Sequence, residues 1–299
     1  MRIHAFTTGA VKITHNWMVG QTGGAGRLIN ALLDRRYTDW LPIYCYVIEH
    51  PEGLIVVDTG IPANANNRIF FPPWMPLVQH AAPFRITPEE EIGPLMHASG
   101  LAPKDVRWVV QTHLHQDHEG GLHHFPNAQV LISRREWQVA QGLAGRLAGY
   151  LNNRWPQSLS PILIDFQASG SGTFPQRHVL TRAGDVQLVP TPGHSAGHMS
   201  LLLEESDHIV FLAGDASYTQ ALLLSQTIDG VATNPHAHQA SQRAILGLAS
   251  AAPMVYLPSH EWDAERRLLV REPIPVFEPS ACGLVRKAGE TAAGVDTRS

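Results

Sequence analysis

Thr112-His113-Leu114-His115-Gln116-Asp117-His118 decides how this chain is read. Three imidazoles and a carboxylate fall within six positions. His113 and His115 lie two apart, so on extended backbone their side chains share a face. Asp117 and His118 follow at once, and a turn there aims them back at the same space. Neutral imidazole and carboxylate suit zinc and similar borderline divalent metals. One metal rarely collects four ligands from so short a segment, whereas two metals a few ångströms apart can divide them. The chain has 17 His, so a surface tract that merely scavenges metal is the bland alternative.

Working outward, the segment sits at the end of a strand. Val106-Arg107-Trp108-Val109-Val110 is a short apolar, β-rich run, and Gly120-Gly121 closes the cluster. The same arrangement recurs three times. Residues 186–190 lead into Thr191-Pro192-Gly193-His194, residues 209–213 into Gly214-Asp215, and residues 254–258 into Ser259-His260. Each is an apolar strand followed by one ligand-type residue, an order that a scavenging tract does not explain. The donors are His113, His115, Asp117, His118, His194, Asp215 and His260, enough for two metals with one Asp between them.

These residues resemble the metallo-β-lactamase superfamily, through its HxHxDH pattern followed by a later His, Asp and His. The resemblance covers roughly residues 38 to 262. Within it the chain is most similar to the N-acyl homoserine lactonases. Asp58-Thr59-Gly60-Ile61-Pro62 with Asn64, Asn66 and Asn67 looks like their DTG(M/I)P…NN segment. Thr191-Pro192-Gly193-His194-Ser195-Ala196-Gly197-His198 looks like their TPGHxxGH, and Asp215-Ala216-Ser217-Tyr218 like their Asp with a Tyr three residues on. HxHxDH alone marks only the superfamily; the DASY segment is more discriminating.

The resemblance implies an α/β fold, a four-layer αββα sandwich. It implies that His113, His115 and His194 bind one metal, that Asp117, His118 and His260 bind the other, and that Asp215 bridges them. Two divalent ions are expected, zinc by default, with iron, manganese or cobalt compatible with the same donors. The implied reaction is hydrolytic opening of an acyl homoserine lactone, the chemistry of quorum quenching. Metal-bound hydroxide would attack the carbonyl, Tyr218 would donate a hydrogen bond to the carbonyl oxygen, and Asp117 would carry the proton to the leaving alkoxide. Asp58 and His198 are expected behind the ligands, since a metal-bound His usually gives its other N–H to an acceptor. His123, His124, His236 and His238 are assigned no chemistry.

An acyl tail needs an apolar groove. Met18, Phe70, Phe71 and Trp74, with Leu147, Tyr150 and Trp155 from the lid, are the candidates, and the Phe70-Phe71-Pro72-Pro73-Trp74 loop is the best case; a homodimer contact would also explain so many apolar groups there.

Composition agrees with a soluble enzyme. The 44% hydrophobic content supports a sizeable core in 299 residues. A net charge of −4 offers no footprint for nucleic acid or an anionic membrane. No apolar run approaches the ~20 residues of a membrane span. The N-terminus lacks the apolar core of a signal peptide. Cys45 and Cys282 form no disulfide framework, and a cytoplasmic protein with reduced thiols is expected.

The expected organisation is one domain over 1–285, with a lid or insertion near 143–177 and a disordered tail over 286–299. Residues 2–8 and 10–14 read as an opening hairpin, 41–49 and 53–58 as a second, and 62–86 as loop. Thr87-Pro88-Glu89-Glu90 reads as a helix start, and Ser133 as the cap of a helix over 134–142.

Rival readings are a true β-lactamase, a glyoxalase II type thioesterase, a phosphodiesterase or ribonuclease Z relative, and a metal-binding scaffold. Zinc β-lactamases often use a Cys ligand, and position 215 is Asp. The thioesterase would lack DASY and carry a C-terminal glutathione-binding region. The nucleases would want a basic surface.

Overall fold

The computed structural model describes residues 1–20, 26–67, 69–169 and 172–275. The expected tail over 286–299 and Cys282 lie outside the described residues.

The first sheet contains seven strands: β1 (Arg2–Val11), β2 (Leu41–His50), β3 (Gly53–Val57), β4 (Phe84–Arg85), β5 (Val106–Val110), β6 (Gln129–Ser133) and β7 (Ile162–Ile164). Their order is β4-β1-β2-β3-β5-β6-β7. The N-terminal strands pair antiparallel, while β3, β5, β6 and β7 run parallel. The second sheet contains six: β8 (Gln167–Ala168), β9 (Gln176–Val179), β10 (Val186–Pro190), β11 (Met199–Glu204), β12 (Ile209–Gly214) and β13 (Met254–Pro258). Its order is β13-β12-β11-β10-β9-β8, antiparallel except for β12 with β13.

Central strands carry apolar residues on both faces, and the two faces meet different partners. On β2, Tyr44, Tyr46 and Ile48 join Val57, Val110 and Leu131 against Leu188, Leu201, Leu212 and Leu257 of the other sheet. Cys45 and Val47 point the opposite way, toward Ile92 and Met96 of helix Ile92–Ala98. On the far side, Phe211 and Tyr256 pack against Ile245 and Ala249 of helix Pro235–Ala251. Strand period 2 thus divides each run between the sheet–sheet core and a helical layer. The result is the four-layer αββα sandwich.

Local chemistry sets the helix starts. Thr87 and Glu90 make a capping box, around a 3₁₀ turn that precedes the helix proper at Ile92. The Ser133 hydroxyl accepts from the Glu136 amide at 3.1 Å and opens helix Arg134–Ala140. Asn234 caps Pro235–Ala251.

Two expectations need correction. Residues 2–14 do not form a hairpin. Arg2–Val11 is one strand, with a register shift between Thr7 and Ala10 where Gly9 takes φ 77°; glycine there makes a bulge, not a turn. The 62–86 segment is not all loop, since it contains helix Pro76–Ala81 and strand β4. Residues 143–177 begin in helix Gly142–Leu147 and then supply β7 to one sheet and β8 to the other. Among the described residues, no helix is long and apolar enough to cross a membrane.

Candidate metal centre

All seven sequence-derived donors come together where the strands of both sheets end. After β5 the chain bends at Thr112 and runs on to His115, whose φ of −74° and ψ of 154° precede the short helix Gln116–Glu119. That turn brings Asp117 and His118 back toward His113.

Two donor groups result. His113, His115 and His194 offer ligand atoms within 4.8 Å of one another, as do Asp117, His118 and His260. His113 Nε2 lies 2.9 Å from His115 Nδ1, which lies 3.0 Å from His194 Nε2. Donors about 2.0–2.1 Å from a shared tetrahedral ion sit roughly 3.3 Å apart, so this spacing fits one cation. Asp215 faces both groups: Oδ2 is 3.4 Å from His194 Nε2, while Oδ1 is 3.3 Å from His260 Nε2 and 3.5 Å from His118 Nε2. Asp117 completes the second group, 3.7 Å from His260 and 3.9 Å from His118.

The residues pass a further test for metal. His118 Nε2 and Asp215 Oδ1 are buried with no hydrogen-bond partner. A buried polar atom left unsatisfied costs about 1–3 kcal/mol, and a cation between these two would satisfy both.

Behind the donors lies a set of orienting contacts. His118 Nδ1–H donates to Asp58 Oδ2 at 2.8 Å. The same carboxylate accepts from the Thr112 amide and hydroxyl, both at 2.8 Å, and Thr112 Oγ1 lies 3.1 Å from His113 Nδ1. Asp58 adopts φ 56°, a left-handed conformation that aims its carboxylate inward. His260 Nδ1–H donates to the Pro42 carbonyl at 2.9 Å.

His198 does not reach the donor groups. Its Nε2 accepts from the Asp215 amide at 3.0 Å, so Nδ1 carries the proton toward Thr191 Oγ1 at 2.9 Å. Thr191 and Ser200 continue the chain to the Ala213 carbonyl. Both ring nitrogens are therefore committed to fixing the backbone that presents Asp215.

Three supports had no sequence signal. Asp229 Oδ2 accepts from His194 Nδ1 at 2.9 Å, although Asp229 belongs to none of the motifs. Glu136, fully buried, accepts from the Leu114 and Gly197 amides and from the Ser195 and Tyr150 hydroxyls, tying the two ligand loops together. Trp17 Nε1–H donates to the Tyr218 hydroxyl at 2.9 Å. His238, assigned nothing from sequence, is buried and bonds the Ala216 carbonyl.

Electrostatics differ between the two donor groups. Burial, then the neighbouring imidazoles, holds His113 well below the usual histidine range and His115 down at about 3, so both keep a lone pair for a cation. Burial opposes charge on His118 and His260, but Asp215 and its companion carboxylates outweigh it and raise both. Burial, then Asp229 and Asp215, pushes the Tyr218 phenol well above its usual value. Tyr218 thus keeps its proton at neutral pH.

The donors open into a cavity of about 650 Å³. His115, Gln116, Asp117, Asp215, Tyr218 and His260 lie on its wall, and Val11, Ile13, Leu28, Trp74, Leu77 and Phe84 supply apolar surface. Of the seven sequence-derived pocket residues, Trp74 and Leu147 line it. Phe70 and Phe71 pack edge-to-face inside the apolar cluster beneath the wall. Met18 packs on that cluster, Tyr150 turns its hydroxyl to Glu136, and Trp155 stacks on Trp137. Each of these five packs against other residues, and the wall draws on β1, helix Arg27–Leu33, helix Pro76–Ala81 and the end of helix Gly142–Leu147.

Comparison with known proteins agrees with this geometry. An N-acyl homoserine lactonase of Bacillus cereus is 35% identical over 182 residues, which is 60% of this chain. The chain spans 66% of that relative's length, just under two thirds. The N-acyl homoserine lactonase AttM of Azorhizobium caulinodans is 30% identical over 254 residues, covering 77% of this chain and 85% of its own. A solved N-acyl homoserine lactone hydrolase, with the product N-hexanoyl-L-homoserine bound at its catalytic metal center, superposes with a TM-score of 0.70 at 26% identity. That likeness covers 88% of this chain and 94% of the other. The sequence profile of the metallo-beta-lactamase superfamily matches residues 38–260, and with the αββα sandwich and its strand-end donors in place, the chain belongs to that superfamily.

Proposed function

We propose that this protein is a dinuclear metal hydrolase that opens the lactone ring of N-acyl homoserine lactones. The observation that carries the reading is the pair of donor groups joined through Asp215 at the base of an apolar cavity, with Asp117 and Tyr218 on its wall. The names of the relatives support the substrate class.

His113, His115 and His194 would hold one ion, Asp117, His118 and His260 the other, and Asp215 both; zinc is the default for such donors. When bound, the ions supply hydroxide at neutral pH and polarise a carbonyl. Tyr218 would donate to the carbonyl oxygen as charge develops there. Trp17 donates to the same hydroxyl; this occupies an oxygen lone pair and leaves the phenolic proton for the substrate. Asp117 would take a proton during attack and return it to the leaving alkoxide. A carboxylate and an alcohol result. The apolar wall would receive the acyl tail, since a cavity of this size suits a ligand of drug-like volume. A cytoplasmic location fits the buried free thiol of Cys45. Ile69, Trp74 and Leu77 are exposed beside one another in sequence and would suit a homodimer contact, which sedimentation would detect.

The test is a substrate screen on metal-loaded protein with lactones of several chain lengths, a phosphotriester, a β-lactam and S-lactoylglutathione. Lactones should dominate, and in ¹⁸O water the label should enter the carboxylate and not the alcohol. Fully metallated protein that opens no lactone would overturn the assignment.

A further inference from the structure

A separate group of metal-type donors lies outside the cavity. His124 Nε2 is 2.7 Å from Glu91 Oε2, and His123 Nε2 is 3.4 Å from the same oxygen. The ligand atoms of all three residues fall within 4.8 Å of one another, and the two rings stand 4.0 Å apart. None of the three lines the cavity.

The hydrogen bonds around this group define its chemistry. His123 Nδ1 lies 3.3 Å from the Gly120 carbonyl, an acceptor that calls for an N–H. In the neutral ring, His123 Nε2 then carries a lone pair and faces Glu91 Oε2 at 3.4 Å. The same oxygen accepts from His124 Nε2–H at 2.7 Å. A divalent ion bound here would replace that proton and engage all three donors.

The group is also built rather than accidental. Glu91 Oε1 accepts from the Ala63 amide, which fixes its carboxylate. Gly93 leaves room for the His124 ring: a Cβ there would stand 2.4 Å from Nδ1. The His123 side chain is 52% exposed, so water can complete the coordination shell.

We propose that Glu91, His123 and His124 form a third divalent-metal site, open to solvent, for zinc, nickel(II) or copper(II). Two imidazoles and one carboxylate are a familiar borderline donor set, and copper(II) should bind tightest of the three. An ion there ties residues 120–124, directly after the Asp117–His118 turn, to Glu91 and through it to Ala63. It should therefore raise the melting temperature without entering the reaction.

The experiment is a zinc titration by calorimetry of protein already holding two ions per chain, repeated with copper(II) and read by electron paramagnetic resonance. Wild type should show a third, weaker binding event and a copper spectrum split by two imidazole nitrogens. His123→Ala removes an exposed ligand, and Glu91→Gln preserves the contact to Ala63. Either should weaken the third event by more than about tenfold, beyond the low end of what a ligand's outer partner contributes, and leave the first two ions in place. A wild type that stops at two ions overturns the proposal whatever the variants do. A third event unchanged in both variants also overturns it, by placing the ion elsewhere.

Discussion

The two sheets feed the metal centre in different ways. The first supplies four donors from one stretch, His113 to His118, at the end of β5. The second supplies His194, Asp215 and His260 singly, at the ends of β10, β12 and β13. In the first half, donor proximity is local: an extended dipeptide repeat and one helical turn suffice. In the second it depends on β10, β11, β12 and β13 lying side by side. The orienting contacts differ accordingly. Asp58 serves His118 directly and His113 through Thr112, at adjacent strand ends of one sheet. His194 relies on Asp229 from a distant loop, and His260 on the Pro42 carbonyl of the other sheet. A compact motif is oriented by its own sheet, whereas dispersed donors borrow support across the molecule.

The sharpest way to break this comparison is the residue shared by both groups. Asp215→Asn should lower metal content at both positions, because Oδ1 and Oδ2 face different groups. Turnover should fall by well over the 10–100-fold that loss of a ligand's outer partner costs. Elemental analysis showing one position still fully occupied would mean that Asp215 serves a single metal.

Removing one support from each half should cost less and should separate them. Asp58→Asn and Asp229→Asn should each lower metal affinity or activity by about 10–100-fold. Asp58→Asn should act mainly through His118, and Asp229→Asn through His194. Titration with a spectroscopic metal such as cobalt would show which position weakens, and the same position weakening in both variants would erase the distinction.

Tyr218 ends the DASY segment in the second half but is held by Trp17 from the first. Loss of one oxyanion donor costs about 10²–10³ in rate where the hole depends on it. With two metals sharing the charge, Tyr218→Phe should lower kcat by roughly tenfold to a hundredfold, at unchanged metal content. Trp17→Phe should lower kcat by less and leave KM nearly unchanged, since it acts through the phenol. Normal turnover in Tyr218→Phe would reduce this tyrosine to packing.

The smallest effect on turnover concerns Glu119, at the end of the short helix that carries Asp117 and His118. Burial pushes its carboxyl up to about 8 from 4.5. A folded pKa above the unfolded one favours folding while the group is protonated. That contribution is whole below about pH 4.5 and is lost as pH rises to about 8. Glu119→Gln should flatten the decline in stability over that window, with little change in activity at neutral pH. Denaturant midpoints measured from pH 5 to 9 would check it; parallel curves for wild type and variant would show that Glu119 titrates normally.

Much of this was legible along the chain because its causes are local. Strand period, the Thr87 and Ser133 caps, and one donor after each apolar run are properties of a few consecutive residues. The β2–β3 hairpin follows from two apolar runs around His50-Pro51-Glu52. Gly9 misled because a glycine between two strand-like runs serves a turn or a bulge equally well, and only pairing of β1 with both β2 and β4 selects the bulge.

By itself, then, the sequence determined the apolar strand runs and the seven donor types, since residue chemistry and periodicity carry both, and the family resemblance of those donors implied the layered α/β class. Tertiary structure alone decided who stands behind the donors and what lines the cavity. Asp229, Glu136 and Trp17 act across separations of 35, 59 and 201 positions, on His194, Ser195 and Tyr218. Phe70 and Phe71 are as apolar as Trp74, yet only Trp74 reaches the cavity. Hydrophobicity drives all three out of water with no preferred direction. Which one meets a core partner and which one meets the cavity is fixed by the elements packed around them.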